Sequence, residues 1–208
     1  MGLPIGFLIA ANNENACLHR LFSKGIFSKA PIQETVSSAI DILIPYNFWR
    51  YLYFATGQDA KKIKTWMQTF QQTGYLQFEE AHHQAYAAGF LSLSITDAAT
   101  LQTIKDTYET ENYLLDPHAA VAYCVADKLA NQLGNQKTIC LATAHPAKFS
   151  ETMKKALTKE TLPEQAQHPS IELAKKRFEK VYLCEQTHLE EALMVAMEAN
   201  WKFKQEVK

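Results

Sequence analysis

Glycine is scarce in this chain, and its seven copies are scattered singly through 208 residues. No stretch can therefore crowd several backbone N–H groups onto one phosphate. An excess of charge of either sign is also missing. Lys and Arg total 21 against 22 Asp and Glu, a formal net charge of −1, which gives no global attraction to nucleic acid or to an anionic membrane. The densest basic group outside the C-terminal third, Lys61, Lys62 and Lys64, reads as one solvated helix face. The four cysteines (Cys17, Cys124, Cys140 and Cys184) form no C-x-x-C pair, which fits partly buried, reduced thiols and not a disulfide framework. No apolar run reaches the length needed to span a bilayer. The apolar start from Met1 to Ala11 has no basic region before it and runs into Asn12-Asn13-Glu14-Asn15, unlike a secretory signal. Cytoplasm is the expected location, with neither membrane nor nucleic acid as a partner.

What is present is an ordinary globular mixture, 47% hydrophobic and 21% charged. Ile5 to Ala11 reads as a buried parallel strand opening into a polar loop. Helical spacing follows from about Asn15 to Lys24, with Gly25 as the stop. A second helix is expected from Asn47 to Gly57, and a third over Lys61 to Gln72, where Ile63, Trp66, Met67 and Phe70 recur at i, i+3, i+4, i+7. Glu79 to Ala88 reads as a helix and Phe90 to Ile95 as a strand. Thr96 is placed to cap a helix running toward Thr110. A further helix begins at Asp116-Pro117 and ends at Gly134. Thr138 to Ala142 reads as a buried strand with a helix starting at Pro146. A last strand is expected at Val181 to Cys184, with a helix from about Leu189 to the end. The alternation predicts an α/β fold, a partial parallel sheet with flanking helices, forming one domain over residues 1–208.

Several residue groups invite chemistry. His82-His83 suggests a metal, but neighbours on a helix point about 100° apart, and no Cys/His spacing supports ligation; no metal site is expected. Ser37, His118 and Asp41 could be drawn as a triad, yet no nucleophile-elbow motif frames the serine. Two segments are better placed. Thr143-Ala144-His145-Pro146-Ala147-Lys148-Phe149 follows a predicted strand, and ligands of open α/β sheets bind at the carboxyl ends of strands. Asn12-Asn13-Glu14-Asn15 follows another. Thr143 and His145 are thus expected together at a strand end, facing a concavity, with Asn13, Asn15 and Lys148 in the same neighbourhood.

These segments carry a resemblance. Thr143 to Phe149 is similar to the T-A-H-P-A-K-F segment of threonine synthases, pyridoxal-phosphate enzymes that convert O-phosphohomoserine and water to threonine and phosphate. Asp116-Pro117-His118-Ala119-Ala120-Val121 resembles that family's [DE]-P-H-[AT]-A-V. Asn13-Glu14-Asn15 with Arg20 resembles N-x-N-D…R-F. Thr35 to Ile42, then Pro45, Asn47 and Arg50, resembles T-L-S-x-A-M-D-[IV]…P-x-N…R. Ala16 departs from the family's usual Asp, Asn12 from a common Thr, and Leu21 from the Phe of the R-F pair. The missing acid beside Asn15 calls the local hydrogen-bond network into question.

The resemblance implies the incomplete large domain of a fold-type II, tryptophan-synthase-β-like enzyme, matched over its C-terminal portion only. Pyridoxal-phosphate chemistry needs a Schiff-base lysine, a phosphate cradle and a partner for the pyridine nitrogen. The first two are implied upstream of Gly2-Leu3-Pro4, so no covalently held cofactor and no catalytic residue are expected in this chain. The third is implied at Thr143, as a neutral hydroxyl. Lys148 coexists in the family with the cofactor lysine and is not a substitute for it. The chain alone is expected to be inactive. The other readings are a non-catalytic binding or structural module and one half of a split enzyme. An unpaired strand near Phe7, Leu8 and Ile9 predicts self-association or a separate N-terminal half as partner.

Overall fold

The computed structural model describes residues 4–179, 181 and 183–206. Contacts divide the chain into two compact units, Met1–His168 and Pro169–Lys208.

In the first unit, β1 (Leu8–Asn12) leads into α1 (Cys17–Lys24), β2 (Ile26–Ser28), α2 (Asn47–Ala55), α3 (Ala60–Thr73), β3 (Tyr75–Gln77), α4 (Glu80–Ala87) and β4 (Phe90–Ser94). β1 and β4 pair in parallel, Leu8 opposite Phe90 through Asn12 opposite Ser94. The elements between them fold around an aromatic core, with β2 and β3 forming a short antiparallel pair. Phe27 is fully buried there; its ring centroid lies 4.6 Å from that of Phe70 and 5.4 Å from that of Trp49, the latter edge-on at 89°. Such aromatic pairs add roughly 0.5–1.5 kcal/mol to the area each ring buries. α1 stops where expected. Gly25 takes a left-handed φ of 66° and donates its N–H to the Leu21 carbonyl at 2.8 Å. A Cβ there would also meet the His83 ring at 3.0 Å, so both φ and space call for glycine.

After β4 come α5 (Asp97–Glu111), α6 (Pro117–Lys128), α7 (Ala130–Leu133) and α8 (Ser150–Leu157). Thr96 caps α5 by accepting the Ala99 N–H at 3.2 Å. Asp116 caps α6 by accepting the His118 N–H at 3.0 Å, with Pro117 in the first turn. α6 is buried on two sides. Ala119 and Ala120 share a core with Ile104 and Met153, while Val121, Cys124 and Val125 pack on the sheet residues Ile9, Leu91 and Leu93. A helix packed on two sides loses the single apolar stripe of a surface helix and keeps only Tyr123, Asp127 and Lys128 exposed.

Three expectations are corrected. The first strand is Leu8–Asn12, not Ile5 to Ala11, because pairing with β4 begins where the Leu8 N–H donates to the Gly89 carbonyl at 2.9 Å. Thr138 to Ala142 is neither a strand nor buried. Ile139 is 85% exposed and Leu141 76% exposed, since no strand among the described residues pairs with them. Between Val181 and Cys184, positions 181, 183 and 184 hold no strand, and Val181 and Leu183 are exposed; Tyr182 lies outside the described residues. The second unit consists of α9 (Pro169–Lys175), a short 3-10 turn and α10 (Leu189–Glu206). No helix among the described residues is long and apolar enough to cross a membrane.

Candidate functional site

The polar loop after β1 is held by one carboxylate from 26 residues further on. Asn13 and Asn15 are almost fully buried. Asn13 donates its amide to Asp41 Oδ1 at 2.7 Å, to Thr35 Oγ1 at 2.9 Å and to Ser37 Oγ at 3.1 Å. Asn15 donates to the same Asp41 Oδ1 at 3.0 Å and to the Gln33 carbonyl at 2.9 Å. The Asn15 side-chain oxygen accepts the Gln33 N–H at 3.0 Å. Asp41 also accepts the Thr35 hydroxyl at 2.7 Å and, through Oδ2, the Thr35 N–H at 3.0 Å. Hydrogen bonds to a charged acceptor are the strong ones. The network questioned because Ala16 replaces an acid is therefore closed by Asp41. Ala16 itself adopts a left-handed φ of 50° at the start of α1 and makes no side-chain cap.

A second carboxylate, at the start of α5, fixes the 33–41 segment. The Val36 N–H reaches both carboxylate oxygens of Asp97, each at 3.1 Å. His118 supplies the next link. Its Nε2 accepts the Ala39 N–H at 3.1 Å, so that nitrogen must present a lone pair and the ring proton sits on Nδ1. Nδ1 then donates to Asp116 Oδ1 at 2.8 Å. With Nε2 committed to a backbone amide and Ser37 held by Thr35 and Asn13, Ser37, His118 and Asp41 form no catalytic relay. The face of the His118 ring meets Phe149, centroids 4.8 Å apart. Four sequence segments far apart in the chain thus touch in succession: 13–15 on 33–41, 39 on 118, and 118 on 149.

His145 and Lys148 stand at the far end of that succession. His145 Nδ1 accepts the Ala147 N–H at 3.2 Å, capping a 3-10 turn over Pro146–Lys148. Its ring lies edge-on to His168 at 5.1 Å. Lys148 is exposed, as is Thr143. Thr143 follows an exposed, unpaired segment instead of a strand, and does not line the large cavity of the first unit. His82 and His83 diverge: His83 Nε2 sits 2.9 Å from the Phe22 carbonyl, while His82 stacks on Tyr86. Sequence reasoning singled out Asn13 and Asn15 but neither Asp41 and Thr35 as their partners nor Asp97 as the acceptor for Val36. The signal was available in the Thr35-Val36-Ser37-Ser38-Ala39-Ile40-Asp41 segment, where Thr35, Ser37 and Asp41 follow at two- and four-residue intervals.

The residues present do not fit a complete pyridoxal-phosphate site. Each glycine with a left-handed φ stands alone in the chain (Gly25, Gly57, Gly74, Gly89 and Gly134), so no glycine-rich phosphate cradle forms among the described residues.

Comparison with known proteins gives the relationship. A family model described as the threonine synthase C-terminal region matches residues 119–192. Threonine synthase of Saccharomyces cerevisiae is 34% identical over 203 residues, covering 86% of this chain and 39% of that protein. Threonine synthase-like 2 of Xenopus laevis is 33% identical, covering 96% of this chain and 41% of that protein. Among solved structures, yeast threonine synthase matches 97% of this chain and 43% of its own with a TM-score of 0.80 at 29% identity. A pyridoxal-phosphate-bound threonine synthase from Brucella melitensis matches 79% of this chain and 35% of its own, TM-score 0.69 at 36% identity. The chain spans about two-fifths of the length of the curated relatives it matches, and its α/β fold is a partial fold-type II domain. This chain is a relative of the threonine synthases, matching the C-terminal portion of that family.

Proposed function

We propose that the chain acts as the C-terminal portion of a threonine synthase, inactive alone, and contributes one wall of a site completed by an N-terminal portion. The single observation that supports this most is the contact succession from Asn13 and Asn15 through Asp41, Ala39 and His118 to Phe149. It holds together the four segments that resemble the family, which a scaffold with no site would have no need to do. In this reading Asn13 and Asn15 rigidify the rim. By the family resemblance, Thr143 would offer a neutral hydroxyl to the pyridine nitrogen of pyridoxal phosphate, and His145 and Lys148 would border the O-phosphohomoserine position. The cofactor, when bound, supplies the electron sink for the reaction; the lysine and cradle that hold it belong to the N-terminal portion. Residues 1–208 function as one module, in the cytoplasm.

Growth of a threonine auxotroph lacking threonine synthase tests this. The chain alone should give no growth, and the chain with the N-terminal portion of yeast threonine synthase should restore it. Growth with the chain alone would overturn the proposal, and so would failure of a demonstrated complex to restore it. A second reading, a non-catalytic binding or structural module, is favoured by the near-equal identity to proteins called threonine synthase-like 2. It predicts complex formation without growth.

A further inference from the structure

Lys62 differs from the two lysines that neighbour it in sequence. Lys61 and Lys64 are exposed, whereas Lys62 is half-buried and reaches from α3 across to α4. Its Nζ lies 5.0 Å from the centroid of the Trp66 ring, one turn along α3, and 3.2 Å from His82 Nε2. An ammonium has donors and no acceptor, so Nε2 must accept. The His82 ring proton then sits on Nδ1, which faces Glu79 Oε2 at 3.7 Å. That spacing is too long for a hydrogen bond but close enough to pair with the ring once it is charged. The ring itself lies parallel to Tyr86, within 2° at a centroid distance of 5.9 Å. An amine, an imidazole base within hydrogen-bond reach and a carboxylate at the base's other nitrogen are the parts by which a nucleophile is activated. None of these residues belongs to the contact succession from Asn13 to Phe149 that carries the proposed function.

We propose that Lys62 is a modification site, acylated on Nζ by a small acyl phosphate with His82 as the base. The Lys62 ammonium first passes a proton to His82 Nε2, which leaves a neutral amine beside an imidazolium facing Glu79. The amine lone pair forms the N–C bond at the acyl carbon, and the C–O bond to phosphate breaks. Phosphate leaves with that electron pair and takes the second proton from nitrogen, while His82 returns its proton to solvent. A compact donor is required because Trp66 and His82 already flank the amine. Two effects compete. Attraction to the Trp66 ring holds the amine protonated and slows attack by about two- to fivefold. A positioned base accelerates proton transfer by roughly 10²–10⁴-fold, so the base wins. The advantage is one of rate, and a reversible aldimine at Lys62 gains no equilibrium occupancy from it. Acylation removes the charge, and with it both the ring contact and the full set of ammonium donors that ties α3 to His82.

The test is brief, partial reaction of the full chain with acetyl phosphate, followed by site-resolved mass spectrometry of the acetylated lysines. Lys62 should react at least tenfold faster than Lys61 and Lys64, and the three rates should level out when the chain is unfolded in urea. His82→Gln leaves an oxygen to accept from Lys62 Nζ but no base, and should bring Lys62 down to the rate of Lys61. Glu79→Gln, at a side chain 85% exposed, should slow Lys62 severalfold and leave Lys61 and Lys64 unchanged. Equal or slower reaction at Lys62 in the unaltered chain would show that its contacts shield the amine, and would overturn the proposal. An unchanged rate in His82→Gln, or an advantage that persists in the unfolded chain, would overturn it as well. If His82→Gln does not fold, the comparison within the unaltered chain and the Glu79→Gln rate decide, and an unchanged Lys62 rate in Glu79→Gln counts against it.

Discussion

Asp41 receives more side-chain hydrogen bonds than any other acceptor in the 13–41 network, from Asn13, Asn15 and Thr35. Removing it takes a carboxylate acceptor from two buried amides and from the Thr35 hydroxyl, leaving Asn13 only Thr35 and Ser37 and Asn15 only neutral carbonyl oxygens, and hydrogen bonds to charged groups are worth about 1.5–3 kcal/mol each. Asp41→Ala should therefore destabilise the chain by about 3 kcal/mol, read as a melting temperature lowered by roughly 6–12 °C. A shift near zero would show the network to be solvated. Ala16 tells a complementary story. A left-handed backbone costs a non-glycine residue roughly 1–2 kcal/mol, and alanine offers no side chain to cap α1 in return. Ala16→Gly should raise stability by about 1 kcal/mol, seen as a higher urea midpoint at unchanged slope. A lower midpoint would mean the position is not strained. The departure at Ala16 was visible in the sequence, but the integrity of the network was not, because Asp41, which holds Asn13 and Asn15, lies 26 residues beyond Asn15 and only the fold joins them.

Elements whose signal is local were legible. The i, i+3, i+4, i+7 spacing of Ile63, Trp66, Met67 and Phe70 marked α3, and Thr96, Asp116-Pro117 and Gly25 marked helix ends by their own chemistry. Strands depend on partners that sequence does not name. Phe90 to Ile95 found β1 and became β4, whereas Thr138 to Ala142, with equally suitable residues, found none and stayed exposed. Where packing is complete the energetics are conventional. Phe27→Ala, which empties the centre of the aromatic core, should cost about 3–5 kcal/mol. Equilibrium denaturation checks it, and a loss below about 1 kcal/mol would mean the site collapses onto Phe70 and Trp49.

At the scale of the whole molecule, the candidate residues are spread along the contact succession from Asn13 to Phe149 and beyond it. Of the residues named from the sequence, Asn13 and Asn15 are buried in the network, His145 and Lys148 border its far end, and Thr143 is exposed. That distribution was only partly legible, because Thr143 was placed at the end of a strand, Thr138 to Ala142, that does not form among the described residues. Incubation with pyridoxal phosphate and borohydride should leave no stoichiometric adduct on any one lysine of the chain. A single modified site, Lys148 above all, would contradict the assignment of the cofactor lysine to an N-terminal portion. The most direct measurement is phosphate release from O-phosphohomoserine as the chain is titrated into a fixed amount of the yeast N-terminal portion with pyridoxal phosphate. Release should be absent with either component alone and should saturate at one chain per N-terminal portion, with threonine formed in equal amount. Release by the chain alone, or none at saturation of a demonstrated complex, would contradict it.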